Sequence, residues 1–319
     1  MYTRGLEELG LAGVAPPAMA MKIDLSALQM LVAAVEERSL AKAGEREHLV
    51  TSAASKRISE LERQVGTTLL VRHNRGVEPT PAGAALYHKA KAILTSVRTL
   101  QDMCEEFSPD GIPKIRLAAN RSAIVQFLPA DIRAFQAESP KSRLDLVEAY
   151  SGDIPRMVSN QEVDIGIYHA AGAAPGVMSY PYRTDRVVLV VPVGHPLSQA
   201  AGLHLDEARS YDFLGYFPRH SFEAFLELAG PTLTGPLNVK IQVANYEARC
   251  RMVREGLGIA VMPELIADTY LGLLGLVKVP LLDEWARRQF YVCARDRAHM
   301  RMAAGDLFDF LVGIGRPAA

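Results

Sequence analysis

Ser52, Ser55, Lys56 and Ser59 recur within eight residues, with Thr51 before them and Arg57 and Arg63 alongside. Positions three and four apart share one face of a helix, so this spacing gathers small hydroxyls and cations on one side. Such groups bond phosphate oxygens, and their small size lets a helix approach base edges in a major groove. The other side carries Ala54, Ile58, Leu61 and Val65, a 4-3-4 apolar stripe. It predicts a helix from about Ser52 to Val65 that stops at Gly66. An ordinary amphipathic surface helix would show the same pattern, so the neighbours decide. Leu69 to Arg72 reads as a strand, His73-Asn74-Arg75-Gly76 as a turn and Val77-Glu78 as the return. That hairpin would carry Arg72, His73 and Arg75 at its tip, suited to backbone or minor-groove contact.

A second set of polar residues stands where predicted strands end. Asn120, Arg121 and Ser122 follow Ile115 to Ala119, and Ser151 follows Arg143 to Ala149. Tyr168 and His169 close Val163 to Tyr168. Arg219, His220 and Ser221 follow Phe213 to Tyr216, and Asn245 follows Lys240 to Val243. In α/β sheets, ligands sit at the carboxyl ends of strands against helix N-termini, whose N–H groups attract anions. The set suits a small organic anion, although each member alone is more often a plain cap or turn residue.

The elements that must position these groups follow from periodicity. Leu28, Leu31, Val32 and Val35 make a first helix, opening after Asp24 or Ser26. Ser39 caps a short second one, Leu40 to about Glu47, and Leu49-Val50 is the turn into the third. Thr80-Pro81 starts a fourth, with Thr80 at N-cap and Pro81 at the first helical position. Along it, Leu86, Ala90, Ile93, Val97, Leu100, Cys104 and Phe107 alternate by four and three. That heptad reads as the seam of a coiled coil, or else as a helix packed on its own domain. Ser108 to Pro113 is a hinge. From Lys114 onward strands and helices alternate, which predicts α/β lobes with mainly parallel sheets. There Ser122 opens a helix running through Phe135, Gly256 to Pro263 joins one helix to another, and Gln289 to Ala294 returns to the first lobe.

Composition bounds the alternatives. Apolar residues make up 49% of 319 residues and charged ones 22%, ordinary for a globular chain of about two domains. The longest apolar run, Leu271 to Leu282, is too short for a membrane span and contains Lys278 and Pro280. The chain carries a net charge of −1, yet Thr51 to Arg98 holds eight basic and only three acidic residues. One basic segment on an otherwise acidic chain fits an electrostatic footprint for DNA. Cys104, Cys250 and Cys293 are too scattered for a disulfide framework or a zinc site. They read as buried or partly buried thiols of a reducing cytoplasm. Residues 1–20 read as a disordered extension, with Glu7 and Glu8 breaking any secretory core and Met19 or Met21 as the natural start. An enzyme would need a catalytic constellation, and the sequence has no HExxH, GxSxG, phosphate-binding loop or GxGxxG. A solute receptor would need an export signal and would have no use for the basic helix and hairpin.

Ser39-Leu40-Ala41-Lys42-Ala43, then Leu49, Ala53, Ser55, Ile58, Leu61-Glu62, Gly66, Leu69, Arg72, Arg75-Gly76 and Thr80-Pro81-Ala82-Gly83 resemble the signature of LysR-type transcriptional regulators. Leu128-Pro129, Val163 to Ile167, Gly194 to Leu197 and Gly256 to Pro263 follow in the family's order, so the resemblance runs from Asp24 to the C-terminus. Two departures stand out: Val50 replaces a hydroxyl residue, so the cap is expected to pass to Thr51, and Thr51-Ser52 replaces a common Gln-Pro. The resemblance implies an N-terminal all-α winged helix-turn-helix (21–80, with the helix-turn-helix at about 40–59) and a linker helix (81–108). It further implies an effector domain (109–319) of two Rossmann-like lobes of periplasmic-binding-protein architecture, lobe I at 113–184 and 290–319, lobe II at 185–289. The expected protein is a cytoplasmic, non-enzymatic regulator with double-stranded DNA, a small organic effector and RNA polymerase as partners. It would need no cofactor or metal and would pair through the linker helix into dimers and then tetramers.

Overall fold

The computed structural model describes residues 24–315 apart from 75, 109–110, 170–171, 173, 216–228 and 244. The chain divides into two compact units, Met1–Gln101 and Asp102–Ala319. The predicted extension, with Met19 and Met21, lies outside the described residues.

In the first unit, α1 (Leu25–Glu37) opens at Asp24, whose carboxylate accepts from the Ser26 amide. Helix α2 (Leu40–Arg46) is capped by Ser39 through the Lys42 amide, and α3 spans Thr51–Val65. Val50, not Thr51, is the N-cap of α3 and offers no side-chain bond. The hydroxyl of Thr51 stands one residue too late, because capping needs the extended backbone of the residue before the first turn. Gly44 makes the tight turn between α2 and α3: a Cβ there would meet the Leu49 carbonyl oxygen at 2.7 Å. Strands β1 (Leu70–His73) and β2 (Gly76–Pro79) pair antiparallel, His73 opposite Gly76. Met30, Leu31, Ala34, Ala54, Ile58, Leu61, Leu69 and Val77 fill one core between helices and hairpin.

Helix α4 (Pro81–Glu106) starts at Thr80, whose hydroxyl accepts from the Gly83 amide. Its heptad divides in two. Leu86 packs on the helix-turn-helix core, and Ala90 is buried with Leu28 and Val32. From Ile93 onward the stripe is exposed except at half-buried Val97, with Leu100 at 60% and Phe107 at 81%. Cys104 is exposed on this stripe rather than buried as expected.

The second unit is built on two long antiparallel strands, β6 (Met178–Pro192) and β11 (Arg287–Ala294). Beside β11 lie β5 (Ile165–His169), β3 (Lys114–Ala119) and the edge strand β4 (Arg143–Glu148). Beyond them β6 pairs with β9 (Ala260–Pro263) and β10 (Leu276–Pro280). A separate parallel pair, β7 (Asp212–Gly215) and β8 (Asn238–Gln242), joins through a bridge from Phe213 to Ile259. The first lobe has Ile115, Leu117, Ile167, Phe290 and Leu307 at its heart; the second has Leu189, Val261, Phe213 and Val279.

Two expectations for this unit are corrected. The sheets are mixed rather than mainly parallel, because the two crossing strands run antiparallel to β5, β9 and β10. The helix after β3 is two helices, α5 (Arg121–Gln126) and α6 (Leu128–Glu138), broken at Phe127. Pro129 is the reason: it has no N–H to bond Val125 and its ring would clash with that carbonyl. Gly256 to Pro263 joins two helices by way of a buried strand, Ala260–Pro263. The remaining described helices are α7 (Ile154–Ser159), α8 (Tyr246–Arg254), α9 (Glu264–Leu274) and α10 (Met302–Gly315).

Candidate nucleic-acid interface and effector cleft

Thr51, Ser52, Lys56 and Ser59 are exposed along α3, while Ser55 and Arg57 are half-buried at its flanks. The hairpin leans on this helix through two side chains. Arg72 donates to the Ser55 hydroxyl at 3.0 Å. Glu62 accepts from the amides of Leu69 and Leu70 at 2.8 and 3.1 Å, fixing where β1 leaves α3. His73 lies 3.8 Å from Glu78 and is exposed; Arg75 lies outside the described residues. The geometry presents a rigid helix face of hydroxyls and one lysine beside a strand carrying an arginine. The sequence placed Glu62 in the family signature but gave it no structural role, although its place three residues before Val65 made a reach past the helix end legible.

In the second unit, Asn120 caps α5, accepting from the Ala123 amide at 2.9 Å. Its amide nitrogen donates to the Ser151 hydroxyl at 2.7 Å, and that hydroxyl also accepts from the His169 amide at 3.3 Å. Three strand ends therefore meet at Ser151. Ser122 does not cap the helix, as its sequence position had indicated; it is buried one residue inside, 3.1 Å from the Tyr246 hydroxyl at the start of α8. Asn245 caps α8 through the Ala248 amide. Through Tyr246, Ser122 of the first lobe therefore meets the start of α8, which Asn245 caps.

Not every expected residue joins this cluster. Arg121 turns to Glu148 on the edge strand. Tyr168 lies on the other face of β5 from His169, stacked on Tyr291 and donating to Ser179 at 2.8 Å. Arg219, His220 and Ser221 lie outside the described residues. Conversely, Tyr246, Gln126, Asp185 and Arg288 were not read from sequence. Arg288 pairs with Asp185 and approaches His169 Nε2 at 3.2 Å, while Gln126 donates to Asp185 at 2.9 Å. Burial, and then the Arg288 charge, push the His169 pKa down to about 3, so the ring is neutral. Burial likewise pushes the Cys250 thiol up to about 11 and Cys293 up to about 12, far from any nucleophilic use. Tyr246 also stacks on the guanidinium of wholly buried Arg249, 4.8 Å from its ring centre.

A basic reading helix beside a hairpin, and a two-lobed α/β unit with polar strand ends, define a ligand-responsive DNA-binding regulator. Residues 25–84 match the bacterial regulatory helix-turn-helix protein of the lysR family, and residues 112–314 match the LysR substrate binding domain. The chain belongs to the LysR family of transcriptional regulators, with a helix-turn-helix DNA-binding domain and a C-terminal effector-binding domain; it is not an enzyme. It is 25% identical to the RuBisCO operon transcriptional regulator of Allochromatium vinosum over 92% of this chain and 96% of that one. It is 26% identical to the HTH-type transcriptional regulator BenM of Acinetobacter baylyi over 86% and 90%. Among solved structures, CbnR, a LysR family transcriptional regulator, superposes with a TM-score of 0.68 at 16% identity, over 92% of this chain and all of that one. No described helix is long and apolar enough to cross a membrane.

Proposed function

We propose that Thr51, Ser52, Ser55, Lys56, Arg57 and Ser59 read a partly palindromic DNA site in the major groove, while Arg72, His73 and Arg75 contact its backbone or minor groove. The observation that carries this is the exposed Ser52–Lys56–Ser59 face opposite the buried Ala54–Ile58–Leu61 stripe on one helix. A face of this kind gains affinity mainly by releasing counterions. Lys56→Ala and Arg57→Ala should each weaken binding and lower the salt slope by about one unit per lost phosphate contact. Fluorescence anisotropy on operator DNA across salt concentrations checks this; wild-type affinity and slope in both variants would remove these residues from the interface.

The effector is a small organic anion held between the lobes by Asn120, Ser122, Ser151, His169 and Asn245, with Arg219, His220 and Ser221 as further contacts and no cofactor or metal. Support comes from the meeting of Asn120, Ser151 and His169 and from the N-terminus of α8, whose amides carry partial positive charge. Ser122→Ala should lower effector affinity about tenfold to a hundredfold, the worth of one hydrogen bond to a charged group. A thermal-shift screen of metabolites on wild type and Ser122→Ala decides: a carboxylate that stabilises both equally would place the pocket elsewhere. Lobe movement on binding reorients the reading heads of a cytoplasmic homodimer paired through α4, assembled further into a tetramer, and alters contact with RNA polymerase. The roles divide at 21–80, 81–108 and 109–319, with lobe II at 185–289.

A further inference from the structure

We infer that Arg288 is a positioning residue that fixes His169 as the neutral Nδ1–H tautomer, so that the cleft offers a permanent hydrogen-bond donor to an acceptor oxygen of the effector. This rests on the reading of an effector between the lobes and specifies its chemistry at one point. The Arg288 guanidinium can only donate. With Arg288 Nη1 3.2 Å from His169 Nε2, that nitrogen must supply a lone pair. The ring proton then sits on Nδ1. Asp185 holds Arg288 in place from the neighbouring crossing strand, accepting from its Nε at 2.8 Å, and also accepts from Gln126 of α5 at 2.9 Å. Phe290 packs edge-on against the ring, 5.2 Å between centres, and blocks its rotation on that side.

Nδ1 itself is buried and has no hydrogen-bond partner among the described residues. It belongs to the backbone side of the ring, at the end of β5 where the His169 amide meets the Ser151 hydroxyl and, through it, Asn120. A buried donor left unpaired is costly, and such groups in folded proteins mark places where another molecule completes the bond. Among the described residues, the charged and titratable groups facing the ring are Arg288 of β11 and, behind it, Asp185 of β6. They neutralise each other, so the ring has no anion to draw a proton onto it. Burial and the Arg288 charge hold its pKa near 3. The donor is therefore unchanged across physiological pH, unlike an ordinary histidine titrating near 6.5.

The test is two-bond 15N–1H correlation NMR on full-length protein labelled at histidine, with His169 assigned from the spectrum of His169→Asn. Wild type is expected to show a neutral Nδ1–H ring from pH 5 to pH 8. Arg288→Lys, which keeps a donor, should preserve that tautomer. Arg288→Met should return the proton to Nε2 or make the ring titrate within this range, which a purely structural role would not do. Acetate is the probe for an acceptor. It should move the Nδ1 proton resonance, and tetramethylammonium chloride at equal ionic strength should not. His169→Asn, whose amide reaches the Nδ1 position, should bind acetate like wild type; His169→Gln should bind it about tenfold more weakly. An Nε2–H ring or an imidazolium at pH 6 in wild type overturns the inference, and so does a resonance that acetate leaves unmoved. If Arg288→Met does not fold, wild type and Arg288→Lys decide alone. The tautomer needs no effector to be seen, so an empty metabolite screen would defeat the effector reading while leaving this result to stand or fall separately.

Discussion

Ile93→Glu is expected to leave the protein monomeric at concentrations where the wild type sediments as a dimer or larger. Ile93 and Leu100 stand exposed on one side of α4, with Ala92, Ser96 and half-buried Val97 beside them. Ile93 is 44% exposed and Leu100 60%, on a stripe whose earlier members, Leu86 and Ala90, are consumed by their own domain. A single chain gains nothing from leaving such residues in water; burying an isoleucine contributes about 1.5–3 kcal/mol. Pairing α4 with its copy would recover that, with 4-3 spacing keeping the seam aligned. Glu at this position would have to be buried without a partner, at a cost of several kcal/mol. A two-fold axis brings in the cost from both chains. Sedimentation equilibrium reads the outcome, with Arg98→Glu, off the stripe on the same helix, as control. Unchanged dimers in Ile93→Glu would move the seam to another surface.

How far the sequence carried the structure depends on the range of each interaction. The α3 faces were legible because one helical period sorts Ala54, Ile58 and Leu61 from Ser52, Lys56 and Ser59, and nothing distant changes that. The heptad of α4 was legible as a pattern but not in its use. Leu86 and Ala90 obey the same spacing as Leu100, and only the packing of α1 shows which are taken. Alternation along β5 names both Tyr168 and His169, yet a strand can turn only one of two neighbours to a given face. Tyr168 went to the face of Tyr291. The run Leu271 to Leu282 hid a helix end and strand β10, divided at Gly275 with φ of +61°. The contacts that matter most to the cleft were beyond reach: Asp185 and Arg288 meet across 103 residues, Ser122 and Tyr246 across 124. No local rule links such pairs before the crossing strands are known.

Arg116→Met should lower stability by about 3–5 kcal/mol, the usual cost of stranding one member of a buried ion pair. Arg116 stands on β3, 7% exposed, and its guanidinium lies 2.7 Å from Asp102 in the last turns of α4. Both side chains are about nine-tenths hidden, 8% and 10% exposed, so water cannot hydrate the carboxylate that methionine would leave behind. The strand around Arg116 is held independently: its amide donates to Asp164 at 2.7 Å, and Arg301 binds both Asp164 and the Lys114 carbonyl. Methionine keeps much of the apolar stem and forms no new polar contact, so the loss reports the uncompensated Asp102 charge. Asp102→Leu alone should be costly for the mirror reason, leaving a buried guanidinium. The double variant Arg116→Met with Asp102→Leu should recover most of the loss, since an apolar pair of similar volume often replaces a buried ion pair without net cost. Urea unfolding of all four forms completes the cycle, with a lower midpoint and unchanged slope in each single variant. Additive losses in the double variant would mean that the two side chains act on stability separately and not as an ion pair.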